Sequence, residues 1–188
     1  TNVADIEFNV KNIKYCVDKS LDEHSKLVVF PELCITSYTC GDLFLQGVLL
    51  KKSENALEDI CRYSIDKDIL IAVGSPLVFN SCVYNCAYII FDGKILGIVP
   101  KSYIPNYEEF YERRWFTSGI NIVDEKVDLN FQKNIPFGIN IIFNSGDFKF
   151  GFEICEDLWS VVPPSSYLSL AGANIIGNLS ASNEIVSK

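Results

Sequence analysis

The stretch Phe148-Lys149-Phe150-Gly151-Phe152-Glu153-Ile154-Cys155-Glu156-Asp157 decides how the chain is read. Phe148, Phe150, Phe152 and Ile154 alternate with Lys149, Gly151 and Glu153, the period of two expected of a β-strand with one apolar face. Cys155 continues the parity of Lys149, Gly151 and Glu153, so the alternation sets it off the core face, at the mouth of an acidic turn. Thiols react as thiolates, and adjacent carboxylates raise a thiol pKa. A reactive Cys155 therefore requires a cation and a base delivered from elsewhere in the chain.

Outward from this strand, helical and strand patterns interleave. Phe8, Ile13, Val17 and Leu21 space a helix from about 8 to 21, and Ala56, Leu57, Ile60 and Ile65 a second over 50–65. Leu27-Val28-Val29-Phe30 is a short continuous apolar run, which predicts a strand buried on both faces. Strand-like runs follow at 69–74, 83–91 and 95–99, with Asp92-Gly93 between the last two as a hairpin turn. Residues 100–119, rich in aromatics and charges, read as a loop with a helical turn. Residues 139–143 and 148–154 form a strand pair around Asn144-Ser145-Gly146-Asp147. Pro163-Pro164-Ser165-Ser166 starts a helix that leads to a last strand over 174–179. The pattern is that of an α/β sandwich on a mixed sheet, within one domain of 188 residues.

Composition narrows the function. A formal charge of -8 opposes nucleic-acid and anionic-membrane surfaces, and no apolar run approaches the ~20 residues that span a bilayer. The seven cysteines (16, 34, 40, 61, 82, 86 and 155) are odd in number, form no CxxC pair, and mostly sit in apolar or helical patterns, as reduced thiols do. With a single histidine, His24 in a polar turn, neither a Cys/His zinc site nor a Cys/His dyad is expected. The Glu108–Trp115 run is half acidic, against an RNA patch, and Asn178-Leu179-Ser180 fits the glycosylation pattern without weight inside a strand. No signal peptide is evident, so a cytoplasmic protein with reduced thiols is expected.

Two further strand ends share the geometry of Cys155. Phe30-Pro31-Glu32 and Val99-Pro100-Lys101 each close an apolar strand with proline and then present a charge. In α/β architectures ligands bind beyond the carboxyl ends of strands, and three such ends carry Glu32, Lys101 and Cys155: a base, a cation and a nucleophile. The Glu156 backbone N–H and the Lys101 ammonium would then face the oxyanion of a tetrahedral intermediate. On this reading Lys101→Gln abolishes turnover and leaves stability nearly unchanged. The bland alternative is ordinary: a charge after a strand is most often a solvated loop residue, and a lone cysteine at a strand end is most often structural.

Phe30-Pro31-Glu32-Leu33, Pro100-Lys101 and Ile154-Cys155-Glu156-Asp157 resemble the Glu-Lys-Cys signature of the nitrilase (carbon–nitrogen hydrolase) superfamily. Residues 38–44 (YTCGDLF), 105–112 (PNYEEFYE) and 178–182 (NLSAS) further resemble the glutaminase domains of glutamine-dependent NAD synthetases. The resemblance implies a four-layer α-β-β-α nitrilase-like sandwich over 1–188, trimmed at both ends and left with an open sheet edge. It implies a catalytic triad of Glu32, Lys101 and Cys155, and a glutamine pocket from Tyr107, Glu156, Trp159, Ser182 and Lys188. It implies hydrolysis of the glutamine side-chain amide through a thioester on Cys155. The ammonia would serve a synthetase domain of the same polypeptide, which uses ATP, Mg and deamido-NAD. No cofactor or metal is expected in this domain, no Ser-Gly-Gly-x-Asp-Ser phosphate loop is present, and a homo-oligomer is expected. A stand-alone amidase and a catalytically silent binding or assembly module of the same fold are the competing readings.

Overall fold

Asp5 begins the first helix by accepting a hydrogen bond from the Phe8 N–H, one of the donors that a helix start leaves unpaired. From there α1 (Ile6–Asp22) and α2 (Gly47–Tyr63) lay Ile6, Val10, Ile13 and Val17, and Leu49, Ala56, Leu57 and Ile60, onto a sheet. The computed structural model describes residues 1–182. Both helices begin earlier than their apolar periodicity alone predicts, at a cap and at a turn rather than at the first apolar residue.

The sheet beneath them has six strands among the described residues: β1 (Leu27–Val29), β2 (Leu70–Phe79), β3 (Cys82–Phe91), β4 (Lys94–Pro100), β5 (Glu125–Val127) and β6 (Ile135–Phe137). Their order is β1-β2-β3-β4-β6-β5, with β1 on β2 and β4 on β6 parallel and the remaining pairs antiparallel. The Asp92-Gly93 turn joins β3 to β4 with both residues at positive φ, as a two-residue hairpin turn requires. A second sheet carries β7 (Phe143–Ser145), β8 (Phe148–Ile154) and β9 (Ile175–Leu179), and α3 (Pro164–Leu170) covers its outer face through Leu168, which lies against Gly151.

Between the sheets lies a dry layer. Leu70, Ala72, Ala87, Ile89 and Val99 of the first sheet meet Phe143, Phe150, Phe152, Ile154 and Leu179 of the second. Helices, sheet, sheet and helix thus stack as α-β-β-α, the architecture the resemblance implied. Burial of β8 is two-sided, because Gly151 and Glu153 lie under α3 while the aromatic face fills the inter-sheet layer.

Four sequence expectations change. The run 27–30 is an edge strand rather than one buried on both faces, and Val29 is 37% exposed. The strand beginning at 69 continues past Gly74 to Phe79. Pro76 is tolerated there because β1 pairs only as far as Ala72, so β2 has no neighbour on that side to miss its N–H. In the β7–β8 hairpin Asn144 and Ser145 pair with Lys149 and Phe148, leaving only Gly146 and Asp147 as the turn, and 139–142 is not strand. Strands β5 and β6, three residues each and partly polar, carry no periodic signal and escape the sequence.

Gly74 ties the first sheet to the turn that carries Glu32. A Cβ there would stand 2.2 Å from the Leu33 backbone nitrogen and 2.9 Å from the Glu32 carbonyl carbon. The turn after β1 therefore lies flat on β2, and the Ile35 N–H donates to the Gly74 carbonyl at 3.2 Å. Gly74→Ala forces that turn away and should cost about 1–3 kcal/mol, the usual size of overpacking. Urea unfolding is the measurement, and a wild-type midpoint would contradict the contact.

Candidate active site

The inter-sheet layer ends in polar groups where β1, β4 and β8 finish. Glu32 follows β1 by way of Phe30 and Pro31, Lys101 directly follows β4, and Cys155 directly follows β8. Lys101 continues the parity of Val99, which faces the second sheet, so its ammonium enters the same gap. All three residues are buried, Lys101 at 0% exposure and Cys155 at 9%.

Lys101 Nζ is 2.6 Å from Glu32 Oε1 and 2.8 and 2.9 Å from the two oxygens of Glu112, which lies in a 3-10 turn over 112–114. Three contacts occupy the three N–H groups of the ammonium. Contact between Lys101 and an oxyanion therefore requires that one carboxylate contact be given up. Burial alone would lower the Lys101 pKa, but Glu32 and Glu112 outweigh it and the net shift is upward, so the side chain is a fixed cation. Burial raises the Glu112 pKa despite Lys101 and a 2.6 Å hydrogen bond from the Tyr38 hydroxyl.

Cys155 does not follow the parity of its strand. Its φ of 45° lies in the left-handed region, which swings the side chain into the inter-sheet cluster instead of toward α3. Such a conformation costs about 1–3 kcal/mol and persists only where the surroundings over-determine it. Asp157, itself buried, supplies that constraint. Its carboxylate accepts from the backbone N–H of Ile154 at 3.0 Å, Ser102 at 3.0 Å and Tyr103 at 2.8 Å, tying the end of β8 to the segment after Lys101. Burial pushes the Asp157 pKa up to about 7 against those three donors.

The Cys155 thiol is raised above its ordinary 9.0, first by burial and then by Glu32, with Glu112 adding to the effect and the Ser180 hydroxyl and Lys101 opposing it. The carboxylates that matter are thus not the sequence neighbours Glu156 and Asp157 but Glu32, from the end of β1, and Glu112, from its 3-10 turn. Ser180 Oγ lies 3.4 Å from the sulfur, and the next residue's N–H, Ala181, lies 3.4 Å from Glu32 Oε2.

The expected pocket residues are placed unevenly. Tyr107 donates its hydroxyl to Glu156 at 2.9–3.0 Å, and the two line one side of a cleft of about 640 Å³ together with Arg113 and Phe116. Trp159 closes the turn that begins at Cys155, its ring 69% exposed. Ser182 is exposed one residue beyond Ala181, and Lys188 falls outside the described residues. His24 is exposed, in line with its reading as a surface residue. Among the described residues no group of His, Cys, Asp and Glu side chains is placed to hold a metal, and no helix is long and apolar enough to cross a membrane.

Sequence reasoning passes over Glu112, Asn85 and the bridging role of Asp157. Glu112 is hidden in a charged run, yet a lysine that must be buried beside a base calls for a second anion, and that requirement is the available signal. The expectation that Lys101→Gln spares stability does not survive this geometry. Removing the cation leaves two buried carboxylates unpaired and should cost about 3–5 kcal/mol. Glu112, its pKa raised by burial and now without the opposing cation, would hold a proton in the native state that the unfolded chain releases. The variant should therefore lose stability as pH rises from about 5 to 8 and recover it in acid, measurable by denaturant melts across that range.

Residues 1–187 match the carbon-nitrogen hydrolase family. The chain is 37% identical over 186 residues to the glutamine-dependent NAD(+) synthetase of Mycobacterium tuberculosis, covering 97% of this chain and 27% of that protein. It is 31% identical over 192 residues to the Homo sapiens protein of the same name, covering 98% of this chain and 27% of that one. The structure of a glutamine-dependent NAD(+) synthetase from Cytophaga hutchinsonii superposes with a TM-score of 0.87 at 31% identity, over 100% of this chain and 30% of that one. A Nesterenkonia amidase of the nitrilase superfamily shares the fold at a TM-score of 0.73 and 14% identity, over 98% of this chain and 63% of that one. The chain thus spans about 27% of the length of the synthetases it matches.

Proposed function

The chain belongs to the carbon-nitrogen hydrolase family, and from that premise we propose that it is the glutamine-hydrolysing part of a glutamine-dependent NAD synthetase. The observation that carries the reading is the meeting of a buried lysine, two glutamates and a strained cysteine at the end of the inter-sheet layer. Relatives above 30% identity over nearly the whole chain supply the choice of glutamine.

Glu32 takes the proton of the Cys155 thiol as sulfur attacks the side-chain amide carbon of glutamine. The tetrahedral oxyanion is met by the Glu156 backbone N–H and by one N–H of Lys101, released from a carboxylate as negative charge moves onto substrate oxygen. Collapse breaks the C–N bond, and the proton on Glu32 passes to nitrogen, giving ammonia and a γ-glutamyl thioester. Water gives a proton to Glu32 and hydroxyl to the thioester carbon. Glutamate leaves, and the proton returns to sulfur. Glu112 and Tyr38 keep Lys101 charged and fixed throughout.

Tyr107 and Glu156 would hold the α-ammonium of glutamine from the cleft they share. Ser182, Trp159 and Lys188 complete the proposed pocket. The ammonia would be consumed in ATP- and Mg-dependent amidation of deamido-NAD, by a synthetase domain outside these residues. Among the described residues no group of His, Cys, Asp and Glu side chains would hold Mg, so no step is assigned to it here. Seven unpaired thiols suit a reducing, cytoplasmic compartment, and a homo-oligomer is the assembly we expect of the full-length protein.

The test uses the full-length protein. Glutamine hydrolysis should fall by roughly 10³-fold or more in Cys155→Ala. Diazo-oxo-norleucine, a glutamine mimic, should modify Cys155 and none of the other six cysteines in peptide maps. Faster turnover of a short aliphatic amide than of glutamine would point to a stand-alone amidase. Uniform labelling of all seven cysteines with no hydrolysis would point to a silent module.

A further inference from the structure

Asn85 stands in β3 on the face that Ala87 and Ile89 turn toward the second sheet, and it is 1% exposed. Its Nδ2 donates to Glu32 Oε1 at 2.6 Å, the same oxygen that Lys101 Nζ reaches at 2.6 Å. Its backbone carbonyl accepts from the Lys101 N–H at 2.8 Å. One residue therefore fixes both the carboxylate and the strand end that carries its cation.

The two oxygens of a carboxylate are equivalent until their donors differ. Here Oε1 accepts two strong donors, one of them charged, while among the described residues Oε2 receives the 3.4 Å contact from the Ala181 N–H alone. The oxygen with fewer donors is the better proton acceptor. Ala181, whose N–H reaches Oε2, directly follows Ser180, whose Oγ lies 3.4 Å from the Cys155 sulfur. The other end of the Asn85 amide, Oδ1, is buried without a hydrogen-bond partner among the described residues. Turning the amide over would set Oδ1 against Glu32 Oε1, acceptor against acceptor. Its orientation is dictated by the carboxylate at the expense of its own second bond.

We propose that Asn85 is a positioning residue for the general base: together with Lys101 it occupies Glu32 Oε1, so that Oε2 is the oxygen that exchanges a proton with Cys155. The proposal rests on the reading of Glu32 as the base. The charged and titratable groups that face Glu32 are Lys101 after β4, Glu112 from its 3-10 turn, Tyr38 from the segment after the Glu32 turn, and Cys155 after β8. Asn85→Leu adds no charge to this set, whereas Asn85→Asp adds a carboxylate to it.

In the full-length protein, Asn85→Leu removes the donor and Asn85→Asp, of the same shape, replaces it with an acceptor. Loss of a donor to the ionised form makes Glu32 hold its proton to higher pH. The acid limb of kcat/KM for glutamine should therefore move up by about one pH unit in Asn85→Leu, roughly tenfold lower activity below the limb, and further in Asn85→Asp. KM at the optimum should change less than about twofold, since Asn85 does not line the cleft of Tyr107 and Glu156. Iodoacetamide labelling of Cys155 below pH 7, followed by peptide mass spectrometry, reads the same proton transfer without glutamine. The raised thiol leaves little free thiolate at those pH values, so labelling there depends on Glu32. A shifted labelling limb in a protein that does not hydrolyse glutamine would sink the glutaminase reading and support Asn85. A limb that stays in place in both assays, with only the plateau lowered, overturns the Asn85 role. If Asn85→Leu does not fold, the limb of Asn85→Ala, which removes the donor and adds no charge, decides.

Discussion

An ammonium with no solvent exposure, held between two carboxylates at the end of a dry layer, is the constraint on which the rest of this structure depends. Removing one such ion from water costs several kcal/mol, while two charges 4 Å apart return about 4 kcal/mol each way at an effective dielectric of 20. The cluster is close to neutral in stability when complete and strongly unfavourable when broken. Each of its members must therefore arrive together, and each comes from a different part of the chain: Glu32 after β1, Lys101 after β4, Glu112 from a turn beyond it. A sandwich of two sheets can do this because its strands end at a common edge, where the apolar filling stops and side chains on the inner face meet.

Strain is gathered at the same edge. Leu33, directly after Glu32, has a φ of 51°, and Cys155 one of 45°, although neither is glycine. Both are held by contacts to neighbouring strand ends rather than by their own preferences. Gly74 gives the Glu32 turn a flat bed and Cys34 hydrogen-bonds across it to the Gly74 backbone, while Asp157 gathers three backbone N–H groups around the Cys155 elbow. The asymmetry in these supports is informative. A turn braced by a missing side chain tolerates no substitution there, whereas one braced by a carboxylate can be loosened by a single proton.

What the sequence made legible depends on the kind of signal each feature leaves. Apolar alternation along β8 and proline after Phe30 and Val99 located the three strand ends and their Glu, Lys and Cys, since burial and ladder termination act on local patterns. Helix periodicity found α1 and α2 for the same reason. The direction of the Cys155 side chain was not legible, because a single positive φ inverts parity without changing composition. Glu112 and Asn85 were invisible for another reason: their roles exist only through partners 11 and 53 residues away, at distances that tertiary packing sets. The strands β5 and β6 lacked enough residues to show a period at all.

The raised thiol, which looked like an objection to nucleophilic chemistry, is better understood through charge conservation. In the proposed mechanism, moving the proton from Cys155 to Glu32 would leave the charge of the cluster unchanged: one negative charge would leave a carboxylate oxygen and appear on sulfur, still within the field of Lys101. Lys101 loses part of its attraction to Glu32 and keeps Glu112. The second glutamate is thus what allows the first to change its charge, because it holds the lysine charged and in place while Glu32 is neutral. At rest the thiol stays protonated and is a poor target for stray electrophiles and oxidants. In the proposed mechanism it would become nucleophilic as Glu32 takes its proton while sulfur attacks the amide carbon. A lysine paired with one carboxylate alone would be left without a counterion at the step where its position matters most.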